Sequence, residues 1–221
     1  MSDISLKQYW ETQVIGSKSI FPFIVIDNWY TPNEEKAVWK ELDHYCSIPK
    51  DNILRSENTT AVAKDEDGNS KSRAYRFDLN SIYAEKSQHF SPIFNCMYKQ
   101  RSEKFHNIIK ECMPYARSFL SSNADSSLIS YYEDQDYYKA HHDTPMWTNL
   151  IWMVREPRKF KGGDFKFDET DIEVKLKNNR AIFFPSCFLH SVSPIKFDTK
   201  PDEIGFGRYC ITHFYFNVPY E

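Results

Sequence analysis

The stretch Thr148-Asn149-Leu150-Ile151-Trp152-Met153-Val154 decides the fold, because an almost continuous apolar run of this length is typical of a strand buried on both faces. Short runs of alternating apolar residues follow it, separated by turn signals at Gly162-Gly163 and Asn178-Asn179. Further strands are expected at 128–132, 165–167, 172–176, 181–184 and 209–217. Many short strands joined by turns predict a sandwich or jelly-roll barrel over the second half of the chain.

The first half of the chain favours helices. Thr31, Pro32 and Glu34 have the residue types of an N-cap, a first helical position and a capping box, so a helix is expected from there to about residue 45. Ser91-Pro92 is a second start signal, and the apolar residues that follow at roughly helical spacing predict an amphipathic helix that packs on a sheet. Before these helices, Phe23-Ile24-Val25-Ile26 predicts a short buried strand.

Composition excludes several classes of protein. Apolar residues make up 41% of the 221 residues and aromatic residues 16%, which is too much for a disordered chain. The net charge is −3 without a basic run, so a nucleic-acid partner is disfavoured, although a local basic cleft stays open. The five scattered cysteines form no CxxC pair and predict reduced thiols in a cytoplasmic protein. No signal peptide and no membrane span are expected.

Two histidines and a carboxylate are placed where they can form one metal site. On a strand, His141 and Asp143 point to the same side, whereas His142 points to the other. His190 follows the apolar run Ala181-Ile182-Phe183-Phe184 and is expected to be reached by that core-facing strand. Two imidazoles and one carboxylate bind one face of Fe(II) and leave the opposite face open, as in non-heme iron oxygenases. If the three residues co-occur only by chance, the rest of the sequence indicates no more than a soluble globular domain.

Arg208 has the properties of an anchor for an anionic co-substrate. It lies in the apolar strand sequence Gly207-Arg208-Tyr209-Cys210-Ile211-Thr212, where a buried guanidinium requires an anionic partner. A 2-oxoacid that chelates iron has a distal carboxylate, and the planar fork of arginine can pair both of its oxygens. Thr212 shares the face of Arg208, so its hydroxyl is a second candidate donor, whereas His213 faces the opposite side. The alternative is a surface arginine at the start of a strand.

In these residues the chain resembles the Fe(II)/2-oxoglutarate-dependent dioxygenases, and most of all their prolyl 4-hydroxylase-like branch. The resemblance rests on His141-x-Asp143, on His190, on the strand from Arg208 to Phe216, and on the Gly162-Gly163 turn ahead of Phe167. It covers residues 128–217. One departure is the separation of His190 and Arg208, which is longer than usual and includes an inserted loop at 197–203.

The resemblance implies a mainly β fold with flanking helices, which has a double-stranded β-helix (jelly-roll, cupin-like) core. One domain would span 1–221, with helical support and a candidate substrate flap in 1–126 and the catalytic core in 127–221. The polar segment 64–71 is the candidate flap, with an ordinary solvated hairpin tip as the alternative.

The resemblance also assigns the site. It implies that iron is bound by His141, Asp143 and His190, and that the C5 carboxylate of 2-oxoglutarate is bound by Arg208, with Thr212 and Tyr132 as hydroxyl donors. Tyr131 is the alternative to Tyr132, since a slip of one residue in strand register exchanges them. Trp152 lies near the position of a co-substrate tyrosine in some relatives and is expected to be a wall of the pocket. The implied cofactors are Fe(II), 2-oxoglutarate and O2, with ascorbate as a candidate activator.

The function that the resemblance implies is hydroxylation of a prolyl residue in a protein or peptide, with release of succinate and CO2. One alternative is hydroxylation of a free amino acid or another small molecule, because the fold serves both. Nucleic-acid demethylation ranks low, since those relatives have a second arginine after the anchor and Thr212-His213-Phe214-Tyr215 has none. A non-catalytic β-helix binding module ranks below the enzymes.

Overall fold

The computed structural model describes residues 10–15, 22–112, 116–170, 172–199, 201 and 204–219. Two antiparallel sheets face each other, and a third, two-stranded pair lies beside them. The strands are β1 (Glu11–Ile15), β2 (Phe23–Asp27), β3 (Leu54–Arg55), β4 (Ser72–Arg73), β5 (Tyr75–Asp78), β6 (Ala124–Tyr132), β7 (Tyr137–His141), β8 (Trp147–Met153), β9 (Phe160–Lys161), β10 (Phe165–Phe167), β11 (Ile172–Val174), β12 (Arg180–Pro185), β13 (His190–Val192), β14 (Lys196–Phe197) and β15 (Arg208–Phe216).

The larger sheet has the order β1-β2-β12-β8-β15-β6-β5-β3, and the smaller has the order β11-β10-β13-β7-β4. Apart from the β10–β11 hairpin and the separate β9–β14 pair, successive strands of the catalytic half alternate between the two sheets, which is the topology of a double-stranded β-helix. The predicted core is therefore confirmed. The strand over residues 148–154 is present as β8, all seven of whose residues are buried, and it lies at the centre of the larger sheet between β12 and β15.

The five α-helices of the described residues precede the strands of the catalytic half in the sequence. They are α1 (Pro32–Cys46), α2 (Leu79–Ile82), α3 (Pro92–Asn95), α4 (Glu103–Cys112) and α5 (Arg117–Leu120), with 3-10 turns at Lys50–Asn52, Ser56–Asn58, Glu85–Phe90 and Met97–Arg101. The α1 start is confirmed, because the backbone N–H of Thr31 donates to the Glu34 carboxylate at 2.8 Å. No helix of these residues is long and apolar enough to cross a membrane.

The second predicted helix is confirmed at its start but is not continuous. The Ser91 side chain accepts from the backbone N–H of Phe94, as expected for an N-cap. The chain then breaks at Cys96, continues as a 3-10 turn, and breaks again at Ser102, whose backbone is extended. The Ser102 hydroxyl accepts from the N–H of Phe105 and starts α4. Two serine caps therefore divide the segment into separate helical pieces.

Two apolar cores result from this arrangement. One lies between the helices and the outer face of the larger sheet and contains Trp29, Phe105, Phe183 and Tyr209. The other lies between the two sheets and contains Leu150, Trp152, Phe165, Phe184 and Tyr132. The first half of the chain also contributes strands: β2 pairs with β12, and β5 pairs with β6. The loop at 197–203 lies partly outside the described residues, and its first residue ends β14, which pairs with β9.

His213 faces the helical core, as predicted, and this location has a consequence for stability. Burial lowers its pKa to about 3, and its Nδ1 atom lies 2.7 Å from the Ser127 hydroxyl. Between about pH 6.5 and pH 3 the unfolded chain binds one more proton at this residue than the folded chain does. We therefore expect His213 to reduce the free energy of unfolding by about 1 kcal/mol for each unit that pH falls within this window.

Urea denaturation from pH 7 to pH 4 measures this effect, with His213→Asn as the comparison, because asparagine does not titrate. The variant should lose less stability with falling pH than the wild type does. Other titrating residues contribute to both proteins and cancel in the difference. Parallel pH profiles for the two proteins would show that His213 is not held neutral in the fold.

Candidate metal and co-substrate site

His141, Asp143 and His190 converge on one point. One ligand atom from each lies within 4.8 Å of the others, and this is the only such group of histidine, cysteine and acidic side chains among the described residues. The Nε2 atoms of His141 and His190 are each 3.5 Å from a different oxygen of the Asp143 carboxylate. Both histidines are buried. The three predicted ligands are therefore brought together, with the atoms and spacing that one divalent metal ion requires.

Strand pairing places the two histidines. His141 is the last residue of β7 and His190 is the first residue of β13, and they lie directly opposite each other in the ladder. The prediction that the apolar run at 181–184 leads directly to His190 was wrong in detail, because that run forms β12 in the other sheet and a turn separates it from β13.

Asp143 lies beyond the end of β7, so its orientation does not come from strand alternation as the sequence predicted. Its backbone N–H donates to the carbonyl of Ser186 at 3.0 Å. The Thr148 hydroxyl donates to its carboxylate at 2.8 Å and lies 2.7 Å from the Ser186 hydroxyl. Thr148 and Ser186 thus fix the carboxylate against both histidines, a role that the sequence did not reveal because it depends on pairing between β8 and β12.

Hydrogen bonds to the backbone orient both imidazole rings. Nδ1 of His141 lies 2.9 Å from the carbonyl of Lys139, and Nδ1 of His190 lies 2.8 Å from the carbonyl of Phe188. A carbonyl only accepts, so each Nδ1 carries the proton and each Nε2 offers its lone pair to the site. The Tyr138 ring stacks on His141 at 3.5 Å between centroids, a contact that was not predicted from sequence. His142 is exposed, and its Nδ1 atom lies 2.8 Å from the backbone carbonyl of Cys187 instead.

The protonation states also suit a metal. Burial raises the pKa of Asp143, but the adjacent rings of His141 and His190 and the hydroxyl of Thr148 outweigh it and hold that pKa below its usual range. Burial lowers the pKa of His190 to about 4. At neutral pH the site therefore offers one carboxylate and a neutral His190 imidazole, which are the forms that bind metal. The residues present fit Fe(II), which would be held by the two Nε2 atoms and the carboxylate.

Arg208 is fully buried, as predicted. Its three guanidinium nitrogens have no hydrogen-bond partner among the described residues. The carbon atom Cζ lies 5.0 Å from the centre of the Tyr132 ring and 5.4 Å from that of Trp152. A buried cation without a counterion is strongly unfavourable. The fold therefore provides a site for an anion at Arg208, which fits the distal carboxylate of 2-oxoglutarate.

Tyr132 and Tyr131 point to opposite faces of the larger sheet. Tyr132 pairs with Arg208 in the ladder and lines the pocket in front of the metal residues. The Tyr131 hydroxyl accepts from the backbone N–H groups of Gly205 and Gly207 in the helical core. The geometry thus favours Tyr132 over Tyr131 as the residue beside the co-substrate. Thr212 also lines the pocket, and both roles stay predictions.

The Gly162-Gly163 turn leaves space for Arg208. Both glycines have positive φ, at 77° and 75°. A Cβ atom at Gly163 would lie 3.1 Å from Cδ of Arg208 and 3.3 Å from Cδ2 of Leu176. The glycine is therefore required by its backbone conformation and by the approach of the arginine side chain.

We expect Gly163→Ala to reduce the free energy of unfolding by about 1–3 kcal/mol and to weaken 2-oxoglutarate binding, because the new methyl group displaces Arg208. Gly68→Ala is the matched control: its φ is +81°, but nothing lies within 4 Å of the added atom. Calorimetric titration with 2-oxoglutarate should give a weaker dissociation constant for the first variant and an unchanged one for the second. Equal dissociation constants would show that the turn does not position Arg208.

The metal residues open into a cavity of about 460 Å3. It extends over the face of the larger sheet that carries Thr212, Phe214 and Phe216, and segment 60–63 forms part of its border. This segment is tied across the cavity, since Arg76 donates to the Ala61 carbonyl at 3.0 Å and the Ala63 N–H donates to the Tyr138 hydroxyl at 3.3 Å. The predicted hairpin tip at 64–71 is confirmed by a bridge between Lys64 and Ser70.

Comparison with known proteins agrees with this geometry. Residues 127–216 match the family described as the 2OG-Fe(II) oxygenase superfamily. No curated protein sequence matches the chain significantly. A solved prolyl 4-hydroxylase from Pseudomonas putida is 12% identical, with a TM-score of 0.54 and coverage of 96% of this chain and 94% of that one.

Two further solved structures are similar. A prolyl hydroxylase from Trichoplax adhaerens, in complex with a peptide fragment of the hypoxia-inducible factor oxygen degradation domain, is 14% identical, with a TM-score of 0.54 and coverage of 88% of this chain and 83% of that one. NgTET1, in complex with 5mC DNA, is 13% identical, with a TM-score of 0.50 and coverage of 88% and 72%. Residues 127–216 therefore match the 2OG-Fe(II) oxygenase superfamily, and the chain has the fold of the solved prolyl hydroxylases.

Proposed function

We propose that the protein hydroxylates a prolyl residue within a protein or peptide, with release of succinate and CO2. The observation that carries the proposal is the shape of the cavity, which continues past the metal residues along the open face of β15 and β6. Thr212, Phe214 and Phe216 share this face, and the four residue steps from Thr212 to Phe216 span about 13 Å. A cavity surface of this length suits an extended peptide that presents one residue to the metal.

The similarity of the fold to two prolyl hydroxylases, one of them solved with a peptide, supports the same substrate class. Phe214 and Phe216 are half-buried and offer aromatic surface against which a proline ring and its neighbours can pack. The described residues of the cavity include no lysine, and the charge of Arg76 is matched by Asp78 at 2.7 Å. Such a lining does not favour a polyanion.

The residues of the chain have separable tasks in this reaction. When bound, iron and 2-oxoglutarate supply the oxidising power with which O2 hydroxylates a C–H bond. His141, Asp143 and His190 hold the metal on one face and leave the other open to the cavity. Arg208 binds the distal carboxylate, and Thr148 and Ser186 keep the Asp143 carboxylate in place. The apolar core between the sheets excludes water from the bound co-substrate.

Mass spectrometry of proline-containing peptides tests the proposal. The protein, Fe(II), ascorbate and 2-oxoglutarate are incubated with a peptide library, and the position of any added oxygen atom is read from fragment ions. We expect oxygen on proline and succinate in equal amounts, and neither with Asp143→Ala. Peptides in which that proline is replaced by alanine should not be modified. Oxygen found only on other residues would contradict prolyl hydroxylation.

A second candidate is hydroxylation of a free amino acid or another small molecule. The many hydroxyl groups of the cavity lining favour a polar ligand: Ser56, Thr60, Ser72, Ser81, Ser126, Ser130, Thr144 and Thr212. This candidate predicts that free amino acids stimulate succinate release. It also predicts that succinate release does not increase with the length of an added peptide. That ascorbate activates the protein and that the protein is cytoplasmic both stay predictions.

A further inference from the structure

Among the described residues, four nitrogen atoms without a hydrogen-bond partner belong to two fully buried side chains that lie side by side. Three are the guanidinium nitrogens of Arg208, and the fourth is Nε1 of Trp152. Both side chains are 0% exposed, so water at the surface cannot satisfy them. Buried polar groups are nearly always hydrogen-bonded in folded proteins, and each exception requires a physical explanation.

The ladder places the two residues on the same face of the larger sheet. Trp152 lies directly opposite Cys210 on the neighbouring strand, and Arg208 is two positions before Cys210. Trp152 and Arg208 are thus diagonal neighbours, and Trp152 belongs to the core between the sheets, as Tyr132 and Leu150 do. The centre of the indole ring lies 5.4 Å from Cζ of Arg208.

Two aromatic rings lie beside the guanidinium group of Arg208. Cζ is 5.0 Å from the centre of the Tyr132 ring and 5.4 Å from that of the Trp152 ring. A carboxylate pairs with the edge of the guanidinium group that carries the N–H groups. Arginine and indole nitrogens can only donate hydrogen bonds. A carboxylate, which only accepts, satisfies this donor set, whereas an amide would bring its own N–H groups against it.

We propose that Trp152 is a second anchor of the co-substrate: its Nε1–H donates to the distal carboxylate that Arg208 binds, and it thereby contributes to selection for a 2-oxodicarboxylate. The expectation that Trp152 is only a wall of the pocket is replaced by this role. The proposal rests on co-substrate binding and is independent of whether the hydroxylated substrate is a prolyl residue.

Nuclear magnetic resonance of the indole groups tests the contact directly. The protein has five tryptophans, so uniformly 15N-labelled protein gives a small set of indole signals, and Trp152→Phe identifies that of Trp152. The protein is loaded with Zn(II), which is diamagnetic and does not react with O2, and is titrated with 2-oxoglutarate. We expect the Trp152 Nε1–H proton to move downfield as the carboxylate binds.

Binding constants measured by calorimetry then separate hydrogen bonding from packing. Trp152→Phe should weaken 2-oxoglutarate binding about 10- to 100-fold, the loss expected for a hydrogen bond to a charged group. It should leave the binding of 2-oxobutyrate unchanged, because that ligand has no distal carboxylate. Trp147→Phe is the matched control, since Trp147 lies on the same strand but its Nε1 already donates to Ser118 at 3.0 Å.

Three outcomes would overturn the proposal. One is an unshifted Trp152 signal at saturating 2-oxoglutarate. Another is an equal loss of affinity for 2-oxoglutarate and 2-oxobutyrate in Trp152→Phe, which would mean that the indole acts only by packing. The third is no binding of 2-oxoglutarate by the wild type, which would also remove the assignment of Arg208. If Trp152→Phe does not fold, variants of the other four tryptophans assign their indole signals, and the remaining signal is that of Trp152. Whether 2-oxoglutarate shifts this signal in the wild type then decides the proposal.

Discussion

Replacement of His141 or Asp143 by alanine is expected to reduce the turnover of 2-oxoglutarate to background. Each variant removes one of three ligand atoms that lie within 4.8 Å of one another. Loss of an outer partner of a metal ligand already costs roughly 10- to 100-fold in affinity or activity, and loss of a ligand itself should cost more. Asp143→Ala also removes the only negative charge of the group. Succinate release and anaerobic calorimetric titration with Fe(II) measure the two effects.

His89→Ala is the control for these variants, because His89 is exposed and lies in the helical part of the chain. It should bind Fe(II) and turn over 2-oxoglutarate as the wild type does. Circular dichroism and thermal denaturation establish that each protein is folded before the comparison is made. Turnover near the wild-type level in both His141→Ala and Asp143→Ala would refute the metal assignment.

Arg208→Met is expected to have opposite effects on binding and stability. Methionine fills a similar volume without a charge, so it removes the burial of an unpartnered cation. Replacement of buried charges by apolar residues of similar size often stabilises proteins by about 1–4 kcal/mol. The same change removes the proposed partner of the co-substrate carboxylate, and we expect affinity for 2-oxoglutarate to fall by at least about 30-fold.

Chemical denaturation of the metal-free protein and calorimetric titration of the metal-loaded protein measure the two effects separately. In the wild type, saturating 2-oxoglutarate should raise the melting temperature by mass action, and the same concentration should raise that of Arg208→Met much less. Arg158→Met, at an exposed arginine, should change neither quantity. A variant that is less stable than the wild type and still binds 2-oxoglutarate normally would show that Arg208 is a structural residue.

The sequence was sufficient for the parts of the site that are encoded by residue type and local order. The spacing of His141 and Asp143, the apolar surroundings of Arg208 and the glycine turn were each visible without coordinates, because their physical requirements are local. The strands β6, β8 and β15 were predictable for the same reason, since their apolar patterns are long.

The remaining features depend on contacts between distant segments. Thr148 and Ser186 hold the Asp143 carboxylate only because β8 and β12 are neighbours. The strands β3 and β4 have two residues each and β5 has four, which is too short for an apolar pattern to identify them, so they form where longer strands offer a ladder. The sequence did not predict the end of the helical segment at Ser102, because the apolar pattern of the helix continues across this residue. The hydroxyl of Ser102 instead caps a new helix by accepting from the N–H of Phe105.

The interleaving of the larger sheet has a consequence for how the chain is made. Strand β2 pairs with β12, about 150 residues later in the chain, and β6 lies between β5 and β15. While the ribosome is still adding the second half of the chain, β2 lacks its partner β12 and β6 lacks its partner β15, because loop closure over such separations must precede their pairing. Nascent chains therefore carry unpaired apolar strand edges until synthesis is nearly finished. For the same reason, a fragment limited to residues 127–216 would expose the edges of β12 and β6, and we expect it to aggregate rather than fold.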